Sequence, residues 1–337
     1  MPAPCLPQKD FMRLRLAICG LAALLVGCGT PSFLVTPVAN TNQLTETEVM
    51  GGRGLFPPKV AIVEVEGMLV NAKSSALLQP TENPVSLFTQ ELNAAAADDN
   101  VKAIVLRVNS PGGTVSSSDA MYQILKRFKE KTHKPVVASA QEVAASGAYY
   151  VSCGADKIIA QPTSIVGSIG VIFETYNLEG TMSKLGVRPG AFKSAAHKDI
   201  GSPFRSATEE EQQIMQGMVD EYYARFKQVV TSNRPVPVTD ETFKMITDGR
   251  VFSGQRAAEL GLVDQTGLLE DAVTLAKQLA NVPNAKVIAY KRPYGYGGSI
   301  YALNETPTPQ ADSHVMQLQL PEAATMLPSG FYYLWKP

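Results

Sequence analysis

Apolar residues along this chain fall into short dense runs separated by longer amphipathic stretches. Val60-Ala61-Ile62-Val63-Glu64-Val65-Glu66-Gly67 has the β-branched density of a buried strand, and residues 83–98 follow with a helical pattern carrying Pro84 in its first turn. The alternation then repeats. Lys102 to Val108 reads as a second core strand, Ser116 to Lys131 as a helix, and Pro135 to Ser139 as a third strand. That strand hands over, through Ser146, to a helix ending near Cys153, and Lys157 to Ala160 makes a fourth short strand. Strands alternating with helices predict a largely parallel sheet covered on both faces, with right-handed crossovers.

Beyond Ala160 the pattern turns helical. Ser206-Ala207-Thr208-Glu209 fits a capping box, and the helix it opens carries Ile214, Met218, Tyr222 and Phe226 at intervals of four, an apolar stripe for core packing. A short helix near Asp240 to Thr247, a turn over residues 249–254, a helix through Leu260 and a last one from Leu268 to Ala280 complete the series. No internal repeat is present. After about Tyr290, glycines, prolines and isolated apolar residues predict a loose tail, within which Phe331 to Trp335 is apolar enough to dock on the body or on a neighbouring subunit.

The N-terminal pattern is of another kind. Lys9, Arg13 and Arg15 precede an apolar run from Leu16 to Val26, the length of a signal-peptide core and short for a membrane span. The run ends in Leu25-Val26-Gly27-Cys28, which resembles a bacterial lipoprotein signal in which Cys28 becomes the lipidated N-terminus. Cys5 and Cys19 would leave with the signal, so Cys153 remains the one thiol and no intramolecular disulfide is possible. The cysteines give no zinc spacing. The division expected is a signal over 1–27, a flexible tether over 28–58, a catalytic domain over 59–282, and a loosely ordered C-terminal extension over 283–337. Hydrophobic residues at 45% describe a globular protein, and 30 Lys plus Arg against 31 Asp plus Glu leave no basic excess for nucleic acid.

Candidate chemistry gathers at the ends of the predicted strands. Asn109-Ser110-Pro111-Gly112-Gly113 follows the second strand at its carboxyl end, where ligands bind in α/β sheets, and adjacent glycines let backbone N–H groups face a visitor as an oxyanion hole requires. Gln141 to Tyr150 places Ser146 among Ala144, Ala145, Gly147 and Ala148, a nucleophile seat or, read plainly, a tight helix entrance with a serine N-cap. A serine needs a base. His133 lies in a charged turn and His314 in the tail, while His197, Lys193 and Lys198 share one segment; a serine–lysine dyad is a known variant of the triad, provided that the amine is largely neutral.

Taken in order, residues 108–113, 144–150, Gly167-Ser168-Ile169-Gly170-Val171, Lys193-Ser194 with residues 197–200, and Asp248-Gly249-Arg250-Val251-Phe252 resemble the signature of the signal peptide peptidase A family, over about Val60 to Leu279. That resemblance implies an α/β fold of the ClpP/crotonase-like type, a ββα superhelix with a parallel sheet and C-terminal helices. It implies Ser146 as nucleophile, Lys198 as general base, Ser168 as the serine that orients the lysine, and Gly113 with Gly147 as oxyanion hole. It also implies peptide substrates, no metal or organic cofactor, and a homo-oligomeric ring or dome. Cys28 would anchor the chain to a membrane with the catalytic domain on the extracytoplasmic side of a bacterial envelope. Ala148 and Ala195 stand where many relatives have glycine, and a lipoprotein signal replaces the usual spanning anchor. Two other readings are a crotonase-like acyl-thioester enzyme, which leaves Ser146 and Lys198 unexplained, and a catalytically silent envelope scaffold. His197 is the alternative base.

Overall fold

The structure, a computed structural model, describes residues 44–72, 75–76, 79–80, 83–236, 241–292 and 330–336. The expected signal, Cys28 with its lipid, and the tether as far as residue 43 lie outside the described residues. Among the described residues no helix is long and apolar enough to cross a membrane.

The strands in chain order are β1 (Thr45–Met50), β2 (Lys59–Glu66), β3 (Ser75–Ala76), β4 (Gln79–Pro80), β5 (Val101–Ser110), β6 (Gly112–Thr114) and β7 (Val136–Ala145). They continue with β8 (Lys157–Ala160), β9 (Ile165–Gly167), β10 (Ile172–Glu174), β11 (Val251–Ser253), β12 (Gln265–Thr266), β13 (Lys286–Lys291) and β14 (Gly330–Leu334). The helices are α1 (Pro84–Ala97), α2 (Val115–Thr132), α3 (Gly147–Ser152), α4 (Glu179–Lys184), α5 (Glu209–Asn233), α6 (Glu241–Ile246), α7 (Gly254–Glu259) and α8 (Leu269–Leu279).

The main sheet runs β1-β13-β2-β5-β7-β8-β12, with β9 beside the far end of β7 and β11 beside β9. From β13 to β12 every neighbouring pair is parallel, and β1 closes one edge antiparallel. Parallel strands are buried on both faces, which is why β2 and β5 read as nearly continuous apolar runs. Ala61, Val63 and Val65 of β2 face α1, α2 and α3, packing in one core with Phe88, Leu92, Leu125 and Tyr149. Val60 and Ile62 face the other way, against Leu269, Ala272, Val273 and Ala276 of α8. The period of two in the strand thus becomes two cores, one per face.

Local signals set the helix ends. Asn83 Oδ1 accepts the Ser86 N–H at 3.1 Å with Pro84 at the first position of α1, and α2 stops at His133, whose φ of 54° cannot continue a helix. The capping box of α5 sits two residues later than the sequence suggested. Thr208 Oγ1 accepts the Glu211 N–H and Glu211 Oε2 accepts the Thr208 N–H, whereas Ser206 is committed to Glu179 through its N–H and hydroxyl. The apolar stripe of α5 is buried only toward its end: Phe226 is inaccessible while Ile214 is exposed.

The sheet also reaches past the boundaries expected from sequence at both ends. β13 lies in the stretch expected to be a loose extension, where Val287, Ile288 and Ala289 are buried and pair with Val60 to Ile62. β1 lies in the expected tether. Its Thr-Glu-Thr-Glu pattern suits an edge strand, where charge discourages further pairing, and Glu46 meets Lys59 at 2.5 Å and Lys286 at 3.1 Å.

Phe226 connects α5 to the core, its ring 5.1 Å from that of Tyr150 and 4.8 Å from that of Tyr333. Phe226→Ala should cost about 3–5 kcal/mol, the range for emptying a buried aromatic site, read as a lowered urea midpoint with an unchanged slope.

Candidate active site

Several turns converge at the carboxyl end of the parallel strands. β7 and β9 pair in parallel with Ala145 opposite Gly167, so the next residues, Ser146 and Ser168, leave the sheet side by side. Both have positive φ, 53° and 52°, in a region that non-glycine residues rarely occupy. Such strain costs about 1–3 kcal/mol and persists only where neighbours over-determine it. Here they do: the Ser146 N–H donates to Gly167 O at 2.7 Å, the Tyr150 N–H donates to Ser146 O at 2.9 Å, and the Ser168 N–H donates to Arg250 O at 2.8 Å. Ser146 is 1% exposed, and its Oγ has no hydrogen-bond partner among the described residues.

Small neighbours make this turn possible. Ala144, Ala145 and Ala148 are buried beneath it, and a Cβ at Gly147 would collide with Ser118 Oγ. β6 comes up to the same point. Ser110 Oγ accepts the Gly112 N–H at 3.1 Å and donates to Gly67 O at 2.6 Å, fixing the turn into β6. Gly112 has φ 100°, and a Cβ there would lie 2.7 Å from Gly147 N and collide with Tyr333 O; at Gly113 it would collide with Leu69 O. The sequence singled out Gly113 and Gly147. Gly112 meets Gly147 and Tyr333 while Gly113 meets Leu69, and which glycine of an adjacent pair takes the positive φ is a matter of register that sequence does not carry.

The cleft beside these glycines holds part of the chain itself. β14 is the middle strand of a small sheet, antiparallel to β6 on one side and β10 on the other, with Tyr333 opposite Gly113 and Ile172 opposite Tyr332. The Trp335 N–H donates to Pro111 O at 2.8 Å. The Tyr333 side chain is fully buried, stacked on Tyr150 at 5.1 Å, and its hydroxyl donates to Tyr222 O at 2.8 Å. Tyr150 in turn donates to Asp119 Oδ1 at 2.6 Å, and burial together with that carboxylate holds its phenol well above the ordinary range. Sequence marked this tail as able to dock without marking where.

The lysines stand elsewhere. Residues 175–205 form a largely exposed excursion in which α4 buries no residue. Lys193 Nζ bonds Asp199 Oδ1 at 2.8 Å and Ala196 O at 3.2 Å, which commits it to this local network. Lys198 is exposed, and among the described residues its amine makes no hydrogen bond or ion pair. No hydrogen bond joins it to Ser146. The His197 ring faces acidic groups, Nε2 lying 3.5 Å from Glu210 Oε1 and Nδ1 3.8 Å from Glu211 Oε1. His133 caps α2, and His314 lies outside the described residues. The thiol of Cys153 is buried, and burial pushes it up to about 12, far from reactive.

Arg205 ties this excursion to α5. Its guanidinium donates to both Asp199 carboxylate oxygens, at 2.9 and 2.6 Å, and to both of Glu211, at 2.7 and 2.6 Å. Hydrogen bonds from Arg205 and then Lys193 hold the Asp199 carboxyl well below its usual range, and those from Arg205 and the Thr208 backbone bring Glu211 down to about 2.

Residues 128–283 match Peptidase family S49, and residues 60–166 match Clp protease. The second match covers β2 to β9 and, with the parallel sheet, identifies the architecture as ClpP-like. A provisionally named protease of Methanocaldococcus jannaschii is 44% identical over 193 residues, 57% of this chain and 61% of that protein. A provisionally named signal peptide peptidase SppA of Enterococcus faecium is 36% identical over 251 residues, 74% of this chain and 72% of that protein. A provisionally named protease of Synechocystis sp. is 39% identical over 229 residues, 68% of this chain and 77% of that protein.

Asp199 and Glu211 have folded-state pKa values below their unfolded ones, so their contribution is present above about pH 4 and is lost as pH falls through the depressed values. Hydrogen-exchange protection of residues 193–211, corrected for intrinsic rates, should stay level from pH 7 to about pH 4 and decline below that.

Proposed function

The chain belongs to peptidase family S49, a family that includes proteins of the signal peptide peptidase type, and on that basis we propose that it is a serine endopeptidase acting on extended, apolar peptides through Ser146 and Lys198. The observation that carries this reading is β14. An extended strand of the chain lies along β6 with the Tyr333 carbonyl packed against Gly112 and Gly147, beside the strained Ser146. A substrate strand added to β6 in the same way would bring a peptide carbonyl to the serine, main-chain pairing giving affinity and side-chain pockets giving selection.

In this mechanism Ser146 Oγ attacks the carbonyl carbon as its proton passes to the Lys198 amine. The Gly113 and Gly147 N–H groups hold the developing oxyanion. Collapse breaks the C–N bond, the lysine returns its proton to the leaving amine, and water activated by the same amine frees Ser146 from the acyl group. Ser168, beside Ser146, steadies the amine.

Within one chain Lys198 is exposed and Ser146 lacks a base, so assembly completes the pair in this reading. Leu185, Val187, Phe192 and Phe204 lie exposed in the same excursion as Lys198, which suits burial in a homo-oligomer, with the lysine segment of one copy covering Ser146 of the next. Anchoring through Cys28, on the outer side of a cell membrane, remains part of the proposal. So does the division into signal, tether, catalytic domain and C-terminal extension, with β1 and β13 counted in the catalytic domain.

The test is hydrolysis of a quenched fluorescent peptide with an apolar cleavage site. Ser146→Ala and Lys198→Ala should each lose at least about 10³-fold in kcat while staying folded, and refolding the two variants together should restore part of the activity. Full activity in Ser146→Ala removes Ser146 as the nucleophile, and a parent that cleaves none of a broad peptide set ends the peptidase reading in favour of a scaffold. A mixture that stays inactive removes the exchange of lysines between copies.

A second expectation concerns the tail. A tethered strand competes at an effective concentration in the millimolar range, so removing residues 330–337 should lower KM several-fold and leave kcat within about twofold.

A further inference from the structure

Lys198 sits on a stretch without regular structure, between turns closed by Lys198 N–H to Ala195 O at 3.3 Å, Ile200 N–H to His197 O at 3.1 Å and Ser202 N–H to Asp199 O at 3.0 Å. Turns of this kind do not fix where a side chain points, because each is one weak local bond exposed to water. Something else must hold the segment. The residue directly after Lys198 is Asp199, and its carboxylate takes the charged hydrogen bonds beside the amine: Lys193 on one side, and the two-pronged Arg205 on the other, while His197 only approaches Glu210 and Glu211, at 3.5 and 3.8 Å.

Arg205 is unusual in what it joins. The guanidinium carries five N–H donors in a fixed plane, and here that plane is shared between two carboxylates, with further bonds to Ser206 O at 3.1 Å and Asp199 O at 3.3 Å. Its second carboxylate, Glu211, is 1% exposed and is itself locked by the capping box with Thr208. Glu211 therefore belongs to the rigid start of α5, whose far end is buried in the core through Phe226 and Val230. The chain of contacts runs from core to helix, from helix to Glu211, from Glu211 through Arg205 to Asp199, and so to the residue bearing the amine. Bidentate geometry restricts rotation as well as distance, and a single ammonium could not do the same.

We propose that Arg205 is a positioning residue for peptide hydrolysis: by clamping Asp199 to Glu211 it sets the place from which Lys198 delivers its amine to Ser146. The proposal rests on the reading of Lys198 as general base. Displacement of a reacting group by about 1 Å costs on the order of 10²-fold in rate, so a lost clamp acts on the chemical step and leaves the peptide-binding strand β6 untouched.

The experiment compares Arg205→Ala, Arg205→Lys and Glu211→Gln with the parent and with Lys198→Ala, in the full chain, by steady-state cleavage of the fluorescent peptide and by the rate at which a fluorophosphonate labels Ser146. Arg205→Ala should lower kcat by about 10- to 100-fold with KM within about twofold, and slow labelling by a similar factor. Arg205→Lys, which keeps the charge and loses the fork, should recover less than a third of the parent kcat. Glu211→Gln keeps the capping box and weakens one prong, so it should fall between them with α5 intact by circular dichroism. Parental kcat in Arg205→Ala, or a rise in KM alone, overturns the clamp, as does full recovery by Arg205→Lys. If Lys198→Ala is itself active, the base assignment fails instead, and the two failures are told apart within one set of measurements.

Discussion

The parallel pairing of β7 with β9 is the constraint on which the site depends. With Ala145 opposite Gly167, two serines leave the sheet together, each forced to positive φ by a backbone hydrogen bond on the residue itself. A slip of one residue between the strands would turn the slipped strand's side chains to the other face and part the two serines. The pairing of β5 with β7 breaks register between Val108 and Ser110, and this irregularity lets the following turn bring Gly112 against Gly147. Bulges of this kind re-aim the chain where pairing ends. The site is thus made chiefly of main chain, and small residues are there because a Cβ would occupy the gap.

The lysine segment is held by other means. It buries little apolar surface and relies on ion pairs, which are weak when isolated at a surface because each must hold two long side chains in one geometry against water. Sharing one guanidinium between Asp199 and Glu211 reduces that cost, since the planar fork is set in advance and one partner is already fixed by a helix cap. Lys193 is spent in the same network, which leaves Lys198 as the uncommitted amine of the two.

Much of this was legible in the residues, and the failures are informative. The dense runs at 60–67, 102–108 and 157–160 became β2, β5 and β8 because a parallel strand is apolar on both faces. β1 was invisible for the opposite reason: an edge strand can be polar, and its pairing is written in β13, far away in sequence. Ser206 offered the same S/T-x-x-E spacing as Thr208, and only the long-range bonds of Glu179 to Ser206 and of Arg205 to Glu211 decide between the two. Ser146 stood out by its neighbours, whereas the role of Gly112 and the seat of Tyr333 depend on pieces of chain that meet only in three dimensions.

The middle position of β14 carries one more consequence. β6 and β10 are joined through this strand and not to each other, so each keeps an unpaired row of N–H and C=O groups whenever it is absent. Open edges of that sort recruit strands from other molecules, and a protein carrying two of them across a narrow slot risks sticking to its own copies. Here a tail of the same chain fills the slot and satisfies both edges, and the aromatic seat of Tyr333 holds it in place without a covalent bond.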